Sequence, residues 1–198
     1  MAILRPGITL YFIRHGETDW NREARYQGQR DIPLNETGRA QARTNGQNLK
    51  AVSDRIASAD FVASTLSRAI DTMTIVRTQL GLASHAFSRD PRLIELNYGH
   101  WEGVLASDLP TVDPEGWRAK SNDPFGWRPR GGESYSDLQI RVAEWLASLE
   151  RDTVAVSHGG VSRVARGAVL GLPSADVPFL PVPQDKIMLL SDEGLTWI

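Results

Sequence analysis

The feature that most constrains this chain is its alternation of short β-type runs with amphipathic helical stretches. Ile8-Thr9-Leu10-Tyr11-Phe12-Ile13 reads as a first strand, and a helix is expected from Glu36 to Val52 behind Asn35, a good N-cap residue. Phe61-Val62-Ala63 reads as a second strand; Leu66, Ala69, Ile70, Met73, Val76 and Leu80 then recur at helical spacing until Gly81 stops them. Leu138, Val142, Trp145, Leu146 and Leu149 mark another amphipathic helix, which feeds the apolar run Thr153-Val154-Ala155-Val156. The pair Gly159-Gly160 is expected to separate that strand from a helix ending near Leu170. Ile187 to Leu190 reads as a last strand, with Leu195 to Ile198 a fainter candidate. Strands that alternate with helices imply an α/β fold with a mainly parallel sheet, and ligands on such sheets sit beyond the carboxyl ends of the strands.

That rule directs attention to two strand ends. The first strand runs into Arg14-His15-Gly16-Glu17-Thr18, and the strand at Thr153 runs into Ser157-His158-Gly159-Gly160. After the second strand, Ser64-Thr65-Leu66-Ser67-Arg68 places an arginine near a helix start at the same edge. A neutral imidazole is a competent nucleophile, and arginine forks match the oxygens of a dianion. Helix N-termini and glycine-flanked N–H groups add to anion stabilisation, and a glycine after each histidine is expected to let a ligand approach the backbone. Either histidine alone could cap a strand and satisfy a carbonyl; two at equivalent ends, with two arginines, define a phosphate site.

The length of 198 residues fits one domain over 1–198. Between Gly103 and Gly131, Pro110, Pro114, Pro124 and Pro129 break the pattern, and a partly helical, cap-like excursion over the core is expected at about 104–130. With 22 basic against 24 acidic residues the net charge is −2, which excludes a nucleic-acid or anionic-membrane binder working by bulk charge. Only Lys50, Lys120 and Lys186 are lysines, leaving 19 arginines, a bias that a GC-rich genome would also produce. Cysteine is absent, which excludes disulfides, thiolate metal sites and cysteine nucleophiles. No apolar run reaches membrane length and no secretory leader pattern is present, so a soluble, cytoplasmic protein is expected.

Beyond these separate readings, Arg14-His15-Gly16-Glu17-Thr18-Asp19-Trp20-Asn21 resembles the signature of the histidine phosphatase superfamily, branch 1, the phosphoglycerate mutase-like proteins. The resemblance continues through Gln27-Gly28, Asp31-Ile32-Pro33-Leu34, Gly38 and Gln41-Ala42. It goes on through Ser64 to Ala69 with Thr72, Leu93 to Gly103, Gly131 to Ser134, and Val156 to Gly160, in family order from Leu10 to about Pro173. It implies a three-layer α/β/α sandwich and a phosphohistidine mechanism. His15 would attack phosphorus; Arg14, Arg68 and His158 would surround the equatorial oxygens, with Asn21 as a neutral donor. Glu95 would protonate the leaving oxygen and later accept a proton from water, which requires burial or the substrate's own charge to keep it protonated beforehand.

Other residues receive smaller roles. Gln27, Gly28 and Gly159 are expected to bind substrate, although loop rigidity explains Gln27 and Gly28 equally well. Glu17 reads as an orienting carboxylate, Thr18 as a loop cap, and Trp20 and Trp101 as loop packing. His85 and His100 show no ligand spacing and read as surface residues; neither a metal nor a cofactor is expected. Trp117, Trp127, Arg128 and Arg130 lie in or beside the excursion, where an arginine could read a second anion or have no function. The family's glycolytic mutases carry a longer, arginine-paired insertion and a covering tail. The 27 residues from Val104 to Arg130 and the short stretch after the last strand therefore favour hydrolysis of a small phosphorylated metabolite, with phosphoglycerate mutase and a non-catalytic sensor as alternatives. A homodimer is compatible with the sequence.

Overall fold

The computed structural model describes residues 3–51, 56 and 58–198. In chain order its strands are β1 (Leu10–Arg14), β2 (Asp60–Ala63), β3 (Ser88–Arg89), β4 (Thr153–Ser157), β5 (Ile187–Ser191) and β6 (Gly194–Trp197). The helices are α1 (Asp19–Arg22), α2 (Glu36–Ala51), α3 (Ser67–Gln79), α4 (Leu109–Val112), α5 (Pro114–Asn122), α6 (Tyr135–Ala147) and α7 (Gly159–Leu170). The sheet order is β3-β2-β4-β1-β5-β6. The pairs β3·β2, β2·β4 and β4·β1 are parallel, whereas β5 and β6 complete the sheet antiparallel. The expected α/β fold with a mainly parallel sheet is therefore present, with an antiparallel hairpin at one edge.

Strand alternation divides the core between the two faces of the sheet. Leu10 and Phe12 pack with α6 and α7 residues such as Leu138, Val142, Trp145 and Val164. Tyr11 and Ile13 pack with Leu49 of α2 and Ala69, Met73 and Val76 of α3. Because β1 and β4 are covered on both faces, they read as continuous apolar runs, a property of buried parallel strands. Helices thus lie on both sides, giving the three layers that the family resemblance implied.

Several expectations need correction. The first strand begins at Leu10, not Ile8. The α2 helix is described to Ala51; the expected end at Val52 lies outside the described residues. Its N-cap is Asn35, whose Oδ1 accepts from Gly38 N at 2.9 Å. Gly159 and Gly160 do not separate strand from helix but form the first turn of α7. The edge strand β3 has only two exposed residues and carries no apolar signal. Within the excursion, Pro110 and Pro114 sit in the first turns of α4 and α5, where a missing N–H costs nothing. The excursion also pairs with the first long loop: Arg25 and Leu105 form an antiparallel bridge, flanked by Tyr26 N donating to Val104 O and Ala106 N to Ala24 O. No helix among the described residues is long and apolar enough to cross a membrane.

Candidate active site

Three neighbouring strands end together at one edge of the sheet. The parallel register pairs Arg14 with Ser157, so the next residues, His15 and His158, emerge side by side, and His15 N donates to Ser157 O at 2.9 Å. The adjacent β2 likewise ends at Ser64, whose N donates to Val156 O. The two imidazole rings meet edge to face with centroids 5.1 Å apart. A cleft of about 280 Å³ opens above them, and its wall includes Arg14, His15, Asn21, Gln27, Gly28, Arg68, Glu95 and Gly159. Of the nine residues given catalytic or substrate-binding roles from the sequence, only His158 is not in that wall; it is fully buried.

Hydrogen bonds determine which nitrogen of His15 carries the proton. Nδ1 is 2.7 Å from the Gly16 carbonyl, which can only accept, so the proton resides there. Nε2 then presents a lone pair, and Arg68 Nε–H donates to it at 3.2 Å. Burial holds the His15 pKa well below the usual histidine value, reinforced by the Arg68 and Arg14 guanidiniums. The ring is therefore neutral, with its nucleophilic nitrogen oriented. Burial likewise depresses His158, with Arg68 and His15 adding to the effect. Its Nε2 contacts Ser64 Oγ at 2.7 Å, while its Nδ1 is buried without a partner.

Arg68, from the first turn of α3, is completely buried and anchored by carbonyls, donating from Nη1 to Arg30 O and from Nη2 to Gly28 O, both at 2.7 Å. Burial draws its pKa down to about 10, so it remains a cation at neutral pH. Arg14 donates from Nη1 to Val182 O, and its buried Nε is unpartnered. Unpaired buried polar atoms are rare because each costs desolvation energy. Arg14 Nε and His158 Nδ1 both flank His15, where oxygens of an anion would satisfy them.

Glu95 enters the cleft from the segment that follows β3 and a 3₁₀ turn. Ser157 Oγ donates to Leu93 O, and Arg141 of α6 donates to the carbonyls of Arg92, Ile94 and Glu95, gathering this segment into place. The carboxylate accepts from Leu96 N at 2.7 Å and from Gly160 N at 3.1 and 3.2 Å. The Gly160 N–H in the first turn of α7 thus holds Glu95. Glycine at 160 leaves room for the carboxylate in this position: an added Cβ would lie 2.5 Å from Glu95 Oε1.

Gly16 has a different purpose from the one expected. A Cβ there would lie 2.2 Å from Gly38 O, so the residue admits the backbone of α2, not a ligand. At Gly159 the nearest atoms to an added Cβ are Arg14 Nε at 3.7 Å and Glu95 Oε2 at 3.9 Å, consistent with an approach from the cleft.

Among the smaller expectations, Thr18 caps α1 and donates from Oγ1 to Gln27 Oε1 at 2.9 Å, fixing the first loop. Glu17 accepts from Asn35 Nδ2 away from the cleft. Trp101 is buried against Trp127 and Tyr26, Trp20 covers Gly103, and His85 and His100 are exposed. Arg128 pairs with Asp137, and neither it nor Arg130 reaches the cleft. Trp117 packs against Lys120. The cleft wall instead contains Arg25, Tyr26, Tyr98 and Arg163, none of which was given a substrate role. Arg163 could have been found as a cation one helical turn beyond Gly159.

The sequence profile of the histidine phosphatase superfamily (branch 1) matches residues 10–197, and the chain belongs to that family. It is 35% identical over 184 residues to glucosyl-3-phosphoglycerate phosphatase of Mycobacterium tuberculosis (strain CDC 1551 / Oshkosh), covering 86% of this chain and 79% of the relative. It is 36% identical over 173 residues to a protein named probable phosphoglycerate mutase GpmB of Salmonella paratyphi C (strain RKS4594), covering 84% and 77%. The crystal structure of the alpha-ribazole phosphatase from Shigella flexneri superposes with a TM-score of 0.81 at 28% identity, covering 96% of this chain and 95% of that one.

Proposed function

We propose that this chain is a metal-independent phosphomonoesterase that hydrolyses a small phosphorylated metabolite through a phosphohistidine on His15. The observation that carries this reading is the neutral His15 imidazole, with Nδ1–H on Gly16 O and Nε2 facing Arg68 and the cleft. In the first step His15 Nε2 forms a bond to phosphorus while the bond to the leaving oxygen breaks, and Glu95 delivers a proton to that oxygen. The imidazolium that results keeps its Nδ1 proton on Gly16 O. Arg14, Arg68 and His158 Nδ1 take the phosphoryl oxygens, with Asn21 as a neutral donor. In the second step water attacks phosphorus, Glu95 takes its proton, and the P–N electron pair returns to Nε2.

The names of the relatives support a small phosphorylated metabolite as substrate. Hydrolysis is favoured over transfer because Arg128 and Arg130 lie away from the cleft, leaving the excursion without the paired cations a mutase needs for a second phosphate. The test is a panel of phosphorylated metabolites assayed for phosphate release, alongside interconversion of 2- and 3-phosphoglycerate, each with and without EDTA. Release that is insensitive to EDTA and abolished in His15→Ala is expected. Interconversion exceeding release would establish a mutase, and phosphoenzyme without turnover a sensor.

A further inference from the structure

The segment Leu180-Pro181-Val182-Pro183-Gln184 connects the turn after α7 to β5. Three consecutive carbonyls each accept from a different arginine at 2.8 Å: Leu180 O from Arg163 Nε, Pro181 O from Arg166 Nη1, and Val182 O from Arg14 Nη1. Pro181 and Pro183 contribute no N–H, so each offers these cations only a carbonyl. The segment's last residue is different in kind. Gln184 O accepts from the buried Asn45 Nδ2 of α2 at 3.0 Å, which ties the residue down. Gln184 Nε2 donates to His15 O at 3.0 Å and to Asn21 Oδ1 at 3.3 Å.

These two bonds control the direction of a neighbouring amide. Asn21 Oδ1 also accepts from Thr18 N at 3.2 Å. A backbone N–H and a carboxamide NH2 can only donate here, so both hold the oxygen end of Asn21 on their side. The donor end, Nδ2, is left to the cleft that Asn21 lines. Gln184 is not part of that cleft wall, so its effect on a ligand must pass through Asn21 and through the main chain of His15.

We propose that Gln184 is a positioning residue of the phosphoryl site. It fixes the Asn21 carboxamide with its NH2 toward the phosphoryl oxygens and restrains the peptide unit that carries the nucleophile. This assignment rests on the reading of the cleft as a phosphoryl site. A phosphate oxygen meeting a reversed amide would face Oδ1, a repulsive contact in place of a hydrogen bond.

The test uses the full chain with orthovanadate as the binding probe, measured by calorimetry, and p-nitrophenyl phosphate for kinetics. Gln184→Met retains bulk without donors and is expected to weaken vanadate binding roughly tenfold, the value of about one hydrogen bond, at an unchanged melting midpoint. Gln184→Glu should bind more weakly still, because a carboxylate cannot donate to Asn21 Oδ1 and adds a negative charge. The decisive measurement is coupling: Gln184→Met should cost vanadate binding clearly less in the Asn21→Ala background than in the parent, the remainder being the restraint on the His15 peptide unit. Losses that multiply, or a Gln184→Met chain that binds vanadate as the parent does, overturn the assignment. A parent chain that binds vanadate but hydrolyses no phosphomonoester overturns the phosphatase reading instead, and the coupling still decides Gln184.

Discussion

Arg68 Nε–H points at His15 Nε2 across 3.2 Å, while the opposite ring nitrogen is bound to Gly16 O. One guanidinium thereby disfavours protonation of His15 and, in the proposed reaction, would remain beside the new phosphoryl group. Lysine could supply charge but not the fork that also donates to Arg30 O and Gly28 O. Arg68→Lys should lower kcat/KM for p-nitrophenyl phosphate by roughly 10²–10³, the scale for removing a donor aimed at developing charge. Steady-state kinetics check this; a loss under tenfold would remove Arg68 from the transition state.

The leaving oxygen separates the role of Glu95 from that of His15. An alkoxide leaves poorly without a proton, whereas p-nitrophenolate leaves readily. Glu95→Gln should therefore slow hydrolysis of an alkyl phosphate by roughly 10²–10⁴ and that of p-nitrophenyl phosphate far less. Comparison of the two substrates in one preparation decides it, and equal losses would reject Glu95 as the proton donor.

A methyl group at position 160 should reproduce that signature from outside the reacting set. The added Cβ of Gly160→Ala would sit 2.5 Å from Glu95 Oε1, forcing the carboxylate out of its place at the start of α7. The variant should favour the aryl substrate as Glu95→Gln does and lose about 1–3 kcal/mol of stability from overpacking. Denaturant unfolding and the substrate ratio together measure it. Gly159→Ala meets only ordinary contacts and should remain as stable as the parent.

The two buried imidazoles make stability pH-dependent with a definite sign. Burial and the surrounding cations hold both His15 and His158 below the usual value in the folded chain, whereas the unfolded chain protonates them near pH ~6.5. Their contribution is complete above about pH 6.5 and is lost as pH falls toward the folded values, because unfolding then takes up as many as about two protons. In a phosphate-free buffer the melting midpoint should fall between about pH 7.5 and 5.5, and His15→Asn with His158→Asn should flatten that slope. A slope unchanged by the pair of substitutions would contradict buried neutral rings. The same depression keeps His15 nucleophilic at mildly acidic pH, so phosphoenzyme formation should show no acid limb near pH 6.5.

Residues adjacent in sequence to strand ends were legible without coordinates, because a parallel sheet delivers those ends to one edge. His15, His158 and Arg68 follow from that rule, and Glu95 from the family resemblance. Residues that act by collecting backbone carbonyls were not legible. Arg141 converges on three carbonyls nearly fifty residues away in sequence, and Gln184 reaches Asn21 across most of the chain. No local pattern encodes such meetings. For Gly16 the sequence suggests ligand approach, because its true neighbour, Gly38 O, lies on a helix whose docking distance only the packed structure reveals. The two-residue β3 strand, exposed and polar, gave no periodicity to read.

The pairing of β1 with β4 has a consequence for how the protein loses function. These are interior strands, each flanked on both sides, and the His15 and Ser64 amides close hydrogen bonds at their ends. Amide exchange at these positions should require cooperative opening of the whole sheet, whereas the short α4 and α5 segments can open alone at lower free energy. The proposed reaction centre would then be among the last parts of the molecule to come undone.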